Sequence, residues 1–275
     1  MQAEEITSVV QGKQVHINAV NLPGEKAIPA FRGSKDQGVR DAIRKHLRDV
    51  AEREKQSGQP ILAHLNHPNF HWSITAEDLA HVVEEQFYEV YNGHPSINHL
   101  GKPGHPGDEE LWDIANAIRL IELKAEPLYG VATDDSHRYH GGNNPPGRGW
   151  VMVRAKKLHG DTLVQAMRAG NFYASTGVFL KNVSYDPKKR RMTLEIEPAE
   201  GVTFTTSLIG TRKAKSLADT KVGEIFETQT GTRVSFTLPE DALYARARID
   251  STRAHPRPSY KDQKEQAWVQ PVGWK

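Results

Sequence analysis

Three short segments carry most of the side chains that could do chemistry, and each follows a run of residues that predicts a buried strand. The segments contain His64 with His67, Glu89 with His94, and Asp135 with its neighbours. Strands of a parallel α/β fold end at one rim, so side chains that follow different strands can meet there. Imidazole and carboxylate groups brought together in this way can bind divalent metal ions. The placement therefore predicts a metal site.

The third segment adds a closely spaced acid and imidazole. Asp135 and His137 stand two residues apart, so in an extended segment both side chains point to the same side and can grip one metal cluster. Arg138 follows directly and is placed to bind a phosphate, with a surface position as the alternative.

Each of these segments alone has a plainer interpretation. A His-Pro pair after a strand, as at His67, is more often a turn than a ligand. Glu89 can be an ion-pair partner, His94 a surface residue, and Asp134 and Asp135 caps of the following turn. Three unrelated segments would rarely all place imidazole and carboxylate groups at the same rim, so their occurrence together favours the metal site.

Composition limits which chemistry and which partners are expected. The chain of 275 residues has 13 histidines and no cysteine, so a transition metal must be held by imidazole and carboxylate groups. The formal net charge of +2 argues against nucleic acid as a partner, and no apolar run is long enough to predict a membrane span. The first residues lack the pattern of a signal peptide. We expect a soluble chain, cytoplasmic or periplasmic or secreted, that acts on a small-molecule substrate.

Alternating elements position the chemical segments in the first part of the chain. Amphipathic periodicity predicts helices over residues 38–57, 75–83, 111–121 and 160–168. Apolar runs predict strands over residues 61–66, 87–92, 128–133 and 150–153. This order is typical of βα units that form a parallel sheet or barrel.

After about Gly177 the pattern changes to short alternating stretches separated by turns, at residues 192–197, 202–206, 233–238, 244–249 and 267–270. These stretches predict an antiparallel β-sandwich. We therefore predict two domains, residues 1–177 and 178–275. The basic run at residues 188–191 is interpreted as a solvated hairpin tip rather than a nucleic-acid contact.

Several of these motifs, in their order along the chain, resemble the polymerase and histidinol phosphatase (PHP) superfamily of metal-dependent hydrolases. Within it, the chain is most similar to the carbaryl-hydrolase-like CehA/McbA branch. The resemblance rests on residues 5–7, 16–18, 65–69, 89–94 and 132–137, and it continues through residues 147–155, 169–177, 245–246 and 267–271.

The resemblance implies a fold class and a set of ligands. The expected fold is α/β, a distorted (β/α)7 barrel whose rim binds two or three divalent ions, commonly zinc, manganese or iron, followed by a small antiparallel β-sandwich. The implied roles are a bridging carboxylate and further metal ligands, namely Glu5, His67, His94, Asp135 and His137, with His99 as the alternative to His94.

Other residues have supporting roles by the same resemblance. Asp135 or a rim histidine would protonate the leaving group, while His64, His16 and Arg138 would contact the substrate or support the ligands. The side chains expected to hold the second ring nitrogen of the ligating imidazoles are Asn66, Asn92 and Asp134.

Members of the superfamily carry H-x-H and T-D-H motifs ahead of the position matched by Glu5, and this sequence has neither. We therefore expect an N-terminally incomplete barrel with fewer metal ions, and an exposed strand edge that pairs with a partner or a second copy. The function implied is a phosphoesterase that uses metal-activated water. The alternatives are a carbamate, ester or amide hydrolase of the same fold and a non-catalytic remnant with a binding or scaffold role.

Overall fold

The computed structural model describes residues 1–24, 27–31, 36–140, 142 and 144–275. In this part of the chain, fourteen strands form three sheets, and four α-helices cover the first of them. The helices are α1 (Val39–Ser57), α2 (Ala76–His81), α3 (Asp108–Ile118) and α4 (Gly160–Arg168). A π-helical turn, Arg119–Leu123, continues α3.

The first sheet has five strands in the order in which they follow along the chain. They are β1 (Ala3–Val10), β2 (Lys13–Val20), β3 (Leu62–Leu65), β4 (Phe87–Asn92) and β5 (Tyr129–Thr133). β1, β2 and β3 pair antiparallel, whereas β3, β4 and β5 pair parallel. The β1–β2 turn consists of Gln11 and Gly12, which both have positive φ, as a two-residue hairpin that matches the twist of its strands requires.

Helix α1 forms because apolar residues recur on one face, and it ends at Gly58, whose left-handed conformation closes the last turn. Its buried residues pack against β2 and Leu65 in the largest cluster of the first sheet, which also takes in Trp112 of α3. Helix α2 begins at Thr75, whose hydroxyl accepts from the backbone N–H of Asp78. No helix in the described ranges combines the length and the hydropathy that crossing a bilayer requires.

The second sheet has six strands and the third has three. The remaining strands are β6 (Trp150–Val153), β7 (Phe172–Ser175), β8 (Leu180–Asp186), β9 (Arg191–Ile196), β10 (Phe204–Arg212), β11 (Glu224–Thr230), β12 (Arg233–Thr237), β13 (Ala242–Ala254) and β14 (Lys264–Val272). The orders are β11-β10-β13-β14-β7-β6 and β12-β9-β8. Leu194 and Phe236 of the smaller sheet share one core with Leu208 and Ile249 of the larger sheet.

The predicted fold class, an incomplete (β/α)7 barrel followed by a small sandwich, is wrong. The described residues form mostly antiparallel sheets, and parallel pairing is confined to β3, β4 and β5. Two pairings account for the difference. Helix α1 connects β2 to β3, but these strands pair antiparallel, so the connection is not a βαβ unit. β6, predicted as a barrel strand, pairs antiparallel with β7 and belongs to the six-stranded sheet.

The predicted division at residue 177 stays a prediction. β6 and β7 lie before this residue in the chain, yet they belong to the same sheet as β14, which lies after it. Arg246 of β13 also reaches α3, where its Nε and Nη2 atoms donate to the carboxylate of Asp113. Backbone pairing and a buried ion pair therefore both connect residues that lie before residue 177 to residues that lie after it.

Candidate metal centre

Glu5 and His16 come together because their strands are paired. In the β1–β2 register Glu5 lies opposite Asn18 and His16 lies opposite Thr7, which makes Glu5 and His16 diagonal neighbours on one face of the sheet. His16 Nδ1 lies 3.1 Å from Glu5 Oε1. The hairpin thus places a carboxylate and an imidazole side by side.

His67 enters the same site from the loop after β3. Its Nε2 atom lies 3.7 Å from Glu5 Oε1, and its ring meets the ring of His16 edge-on at 4.9 Å between centroids. Phe70 packs against both imidazoles, with its ring centroid 5.3 Å from that of His67 and 6.1 Å from that of His16. One suitable atom from each of Glu5, His16 and His67 lies within 4.8 Å of the others, which makes them a candidate metal-binding group.

Asp135 approaches this group from the end of β5. Its Oδ2 atom lies 3.9 Å from His67 Nε2 and accepts a hydrogen bond of 3.2 Å from Asn92 Nδ2. Asp135 and His67 both have a positive φ, 45° and 22°, although neither is glycine. Backbone strain of this kind costs about 1–3 kcal/mol and persists where the surroundings impose it, commonly at functional sites.

These residues fit a divalent ion by donor type and spacing. Oxygen and nitrogen ligands lie about 2.0–2.2 Å from a zinc ion, so ligand atoms around one ion are roughly 3–4 Å apart. The separations of 3.1, 3.7 and 3.9 Å found here lie in that range. The cleft has a volume of about 120 Å³ and is lined by Glu5, His16, His67, Phe70, His94, Ser96, Ile97, Asp135 and His137.

The charges of the group favour a cation as well. Hydrogen bonds from His16 and His67 hold the pKa of the Glu5 carboxyl far below its usual range, so Glu5 is ionised. Burial disfavours protonation of His67, but Glu5, Glu89 and Asp135 outweigh it and raise the pKa of His67. The carboxylates therefore attract positive charge, and a metal ion that binds here would displace the proton of His67.

Glu89 supports the site from behind. Its Oε2 atom accepts from the backbone N–H of His67 at 2.7 Å and from Asn92 Nδ2 at 2.8 Å, and its Oε1 atom accepts from the Thr133 hydroxyl at 2.7 Å. Burial raises the pKa of Glu89 against these hydrogen bonds. Because Asn92 also donates to Asp135, Glu89 positions both strained residues.

His94 and His137 line the cleft but lie outside the group of three. Their rings meet edge-on with centroids 5.2 Å apart. His94 Nδ1 accepts from the backbone N–H of Ser96, so the ring hydrogen of neutral His94 lies on Nε2. His137 Nδ1 lies 2.9 Å from the backbone oxygen of Asp135 and 3.3 Å from Asn144 Nδ2. The closer partner is the oxygen, which can only accept, so we place the hydrogen on Nδ1, which leaves Nε2 as an acceptor.

The structure places other predicted residues away from the cleft lining. His64 Nδ1 lies 4.0 Å from Glu89 Oε1, and its ring lines a different, largely apolar cavity. Arg138 is exposed and lies against Gly142. His99 Nδ1 lies 2.8 Å from Asp108 Oδ2, so His99 does not take the place of His94.

The three side chains expected to hold the ring nitrogens of the ligating imidazoles contact other groups. Asn66 Nδ2 donates to the carboxylate of Glu5 at 3.0 Å, and Asn92 Nδ2 donates to the carboxylate of Asp135 at 3.2 Å. Asp134 instead accepts from three backbone N–H groups of residues 147–149 and anchors that loop.

Sequence reasoning placed His16 in a supporting role and did not single out Phe70 or Thr133. The register of β1 and β2 is what brings His16 to Glu5, and a sequence signal for it exists only in the Gln-Gly turn between two alternating stretches. Phe70 and Thr133 carry no motif that predicts their contacts.

No protein-family model and no curated protein matches the chain. One solved structure, from Bacteroides vulgatus, is described as a two-domain protein containing a predicted PHP-like metal-dependent phosphoesterase. It is similar over 98% of this chain and 74% of its own, with 14% sequence identity and a TM-score of 0.34. Similarity at this level does not establish a shared fold, so the function is argued from the site itself.

Proposed function

We propose that this protein is a metal-dependent hydrolase that acts on phosphoesters. The observation that carries the proposal is the convergence of Glu5, His16 and His67 on one point, with Asp135 beside His67. These four side chains would hold a divalent ion, since they offer the oxygen and nitrogen ligands that zinc and manganese accept. A bound divalent ion supplies Lewis acidity and lowers the pKa of a water molecule toward about 7.

The two imidazoles that also line the cleft offer a hydrogen-bond donor and a base. His94 Nε2 carries a hydrogen that can donate a hydrogen bond to a phosphoryl oxygen, and His137 Nε2 can accept a proton from the attacking water and pass it to the departing oxygen. Burial lowers the pKa of His94, so this ring is neutral at pH 7. The cleft therefore holds a hydrogen-bond donor and a base whose ring centroids lie 5.2 Å apart.

A phosphoester suits this cleft because its charge complements the side chains. The phosphoryl oxygens are anionic acceptors, and the cleft offers an imidazole N–H together with a position for a cation. The cleft is also small, about 120 Å³, so it fits a phosphoryl group while the rest of the substrate stays outside.

The test measures metal content and hydrolysis on the same samples. The protein is loaded with Zn²⁺ or Mn²⁺, its metal content is determined by mass spectrometry, and 4-nitrophenyl phosphate, bis(4-nitrophenyl) phosphate and a 4-nitrophenyl carbamate are offered as substrates. We expect metal-dependent release of 4-nitrophenol from a phosphoester that is lost in His67→Gln. The matched control is His159→Gln, which changes an exposed histidine that makes no capping hydrogen bond at α4.

Two results would contradict the proposal. If His67→Gln and the unaltered protein bound the same amount of metal, the metal would not bind at the site that contains His67. If only the carbamate were hydrolysed, the protein would still be a metal-dependent hydrolase, but the proposed phosphoester substrate would be wrong.

A further inference from the structure

A second cavity, of about 330 Å³, lies between the loop before α3 and the six-stranded sheet. It shares no lining residue with the metal cleft. It opens beside Leu100, whose side chain is exposed to 73%. The proposed hydrolysis does not use this cavity, yet its lining combines aromatic rings, carboxylates and an imidazole.

The rings form a continuous stack along the cavity. The ring of His99 lies parallel to that of Tyr91, with centroids 4.9 Å apart, and Tyr91 stacks on Trp268 at 5.9 Å. The Tyr260 ring is tilted by 51° against the His99 ring, with centroids 5.9 Å apart. Aromatic faces of this kind attract cations and pack against alkyl groups.

His99 presents a hydrogen-bond acceptor without a partner. Its side chain is 6% exposed, and its Nδ1 atom lies 2.8 Å from Asp108 Oδ2, so the ring hydrogen of the neutral imidazole lies between these two atoms. The Nε2 atom is buried and has no hydrogen-bond partner among the residues that the structure describes. A buried acceptor left in this way is unfavourable, and a hydrogen-bond donor on a ligand would satisfy it.

Charge around the cavity selects the kind of donor. Four carboxylates line it, and the one guanidinium among the lining residues, that of Arg248, is already paired. Its Nε atom donates to Asp250 Oδ2 at 2.9 Å, and its Nη1 atom lies 3.6 Å from Glu109 Oε1. Asp108 contacts His99 and burial raises the pKa of its carboxyl, so the exposed carboxylate of Glu110 contributes the clearest excess negative charge to the cavity. This favours a positively charged donor over an anion or a neutral one.

We propose that this cavity binds a small protonated alkylamine, whose ammonium N–H donates to His99 Nε2 and whose alkyl chain packs against Tyr260 and Trp268. The carboxylates supply the charge that balances the ammonium, and the rings supply both cation–π attraction and apolar contact. A quaternary ammonium has the same charge but no N–H, so it cannot satisfy His99.

The N–H group that distinguishes the two kinds of ammonium allows a direct test. Binding is measured by isothermal titration calorimetry with the full chain, first without metal and then loaded with Zn²⁺. The probes are butylammonium, butyltrimethylammonium and 1-butanol. We expect butylammonium to bind at least tenfold more tightly than the other two, with or without metal. Equal binding of butylammonium and butyltrimethylammonium, or no binding of butylammonium, would overturn the proposal. Because the expected order of affinities is the same with and without Zn²⁺, and no turnover is measured, the result is independent of the hydrolase proposal.

Variants separate the hydrogen bond from the charge. His99→Phe keeps a ring stacked on Tyr91 but lacks Nε2. The affinity for butylammonium should therefore fall at least tenfold, while the affinity for butyltrimethylammonium should change less than twofold. Glu110→Gln, at an exposed position, should lower the affinity for both cations two- to fivefold. Glu200→Gln, at an exposed position elsewhere, should lower neither affinity. Circular dichroism verifies that His99→Phe is folded, and Glu110→Gln provides the test if it is not. Equal affinities in Glu110→Gln and Glu200→Gln would contradict the role of the carboxylates.

Lysine side chains of other proteins end in the same primary ammonium group. A further titration therefore compares butylammonium with Nα-acetyl-lysine methylamide. Butylammonium binding at least as tightly as the lysine derivative assigns the site to a free amine. Binding of the lysine derivative alone would overturn that assignment.

Discussion

The side-chain amide of Gln270 pairs with Gly130 as a neighbouring strand would. Gln270 Oε1 accepts from the backbone N–H of Gly130 at 2.8 Å, and Gln270 Nε2 donates to the Gly130 oxygen at 2.8 Å. Gly130 lies on β5, the last strand of the five-stranded sheet, and Gln270 lies on β14 of the six-stranded sheet. One side chain thus provides hydrogen-bond partners for both backbone groups of Gly130 at the edge of one sheet, and it connects that sheet to the six-stranded sheet.

Replacement of Gln270 by alanine should therefore destabilise the protein. Both backbone groups of buried Gly130 would lose their partners, and each such loss costs about 1–3 kcal/mol. We expect the free energy of unfolding in urea to fall by roughly 2–4 kcal/mol. Gln56→Ala, at an exposed position of α1, should change it by less than about 0.5 kcal/mol. Equal effects of the two changes would show that the Gln270 pair contributes nothing to stability.

Arg246 and Asp113 should behave as a coupled pair. The Arg246 side chain is 1% exposed, donates twice to Asp113 and lies over the Trp112 ring at 4.8 Å. Removal of one member of a buried ion pair costs about 3–5 kcal/mol, because the other charge stays buried without a partner.

We therefore expect Arg246→Met to lower the free energy of unfolding by about 3–5 kcal/mol, and a second change, Asp113→Leu, to restore much of the loss. Chemical denaturation of the single and double variants measures the coupling. Arg233→Met breaks an exposed pair with Glu195 and should cost no more than about 1 kcal/mol. Additive losses in the double variant would refute the coupling.

Glu85 should make the protein less stable as the pH rises. Burial raises the pKa of this carboxyl from 4.5 to about 8, against the hydrogen bonds from the backbone of Phe87 and Gln86. Between these two pH values the unfolded chain releases the proton while the folded chain retains it. Stability is therefore fully present below pH 4.5 and decreases toward pH 8, by an amount on the order of a few kcal/mol.

Glu85→Gln removes this titration. We expect the variant and the unaltered protein to have similar free energies of unfolding at pH 5, and the variant to be the more stable of the two at pH 8. Urea denaturation at several pH values measures the difference. Glu84→Gln, at the exposed neighbouring position, should give a difference that does not change with pH. A Glu85→Gln effect that is equally independent of pH would contradict the buried titration.

Glu89 should act on the metal site through His67 and Asp135. In Glu89→Gln an amide N–H group replaces one carboxylate oxygen, so one of the donors from His67, Asn92 and Thr133 loses its acceptor. Loss of a group that orients metal ligands typically weakens metal binding about 10–100-fold. Titration with Zn²⁺ against a competing chelator measures this affinity, and Glu77→Gln, at an exposed position of α2, is the control. An unchanged zinc affinity would exclude a positioning role for Glu89.

Local pattern along the chain was enough to predict several elements and several of the side chains that line the cleft. The helices predicted over residues 38–57 and 160–168 are present as α1 and α4, because periodic apolar residues and terminal glycines act within a few turns. The strands that precede His67 and contain Glu89 are present as β3 and β4. The absence of cysteine by itself restricts any transition-metal site to imidazole and carboxylate groups.

Tertiary structure alone decided how the strands pair and which side chains meet. β2 and β3 are antiparallel and β6 lies in the six-stranded sheet, because pairing depends on contacts between residues far apart in the chain. The same long-range register brings His16 to Glu5, while Asp108 binds His99 and keeps that imidazole out of the cleft. Residue types and spacing determine which chemistry is available, but a register shift of one residue would turn each side chain to the opposite face, so geometry selects the residues that form the site.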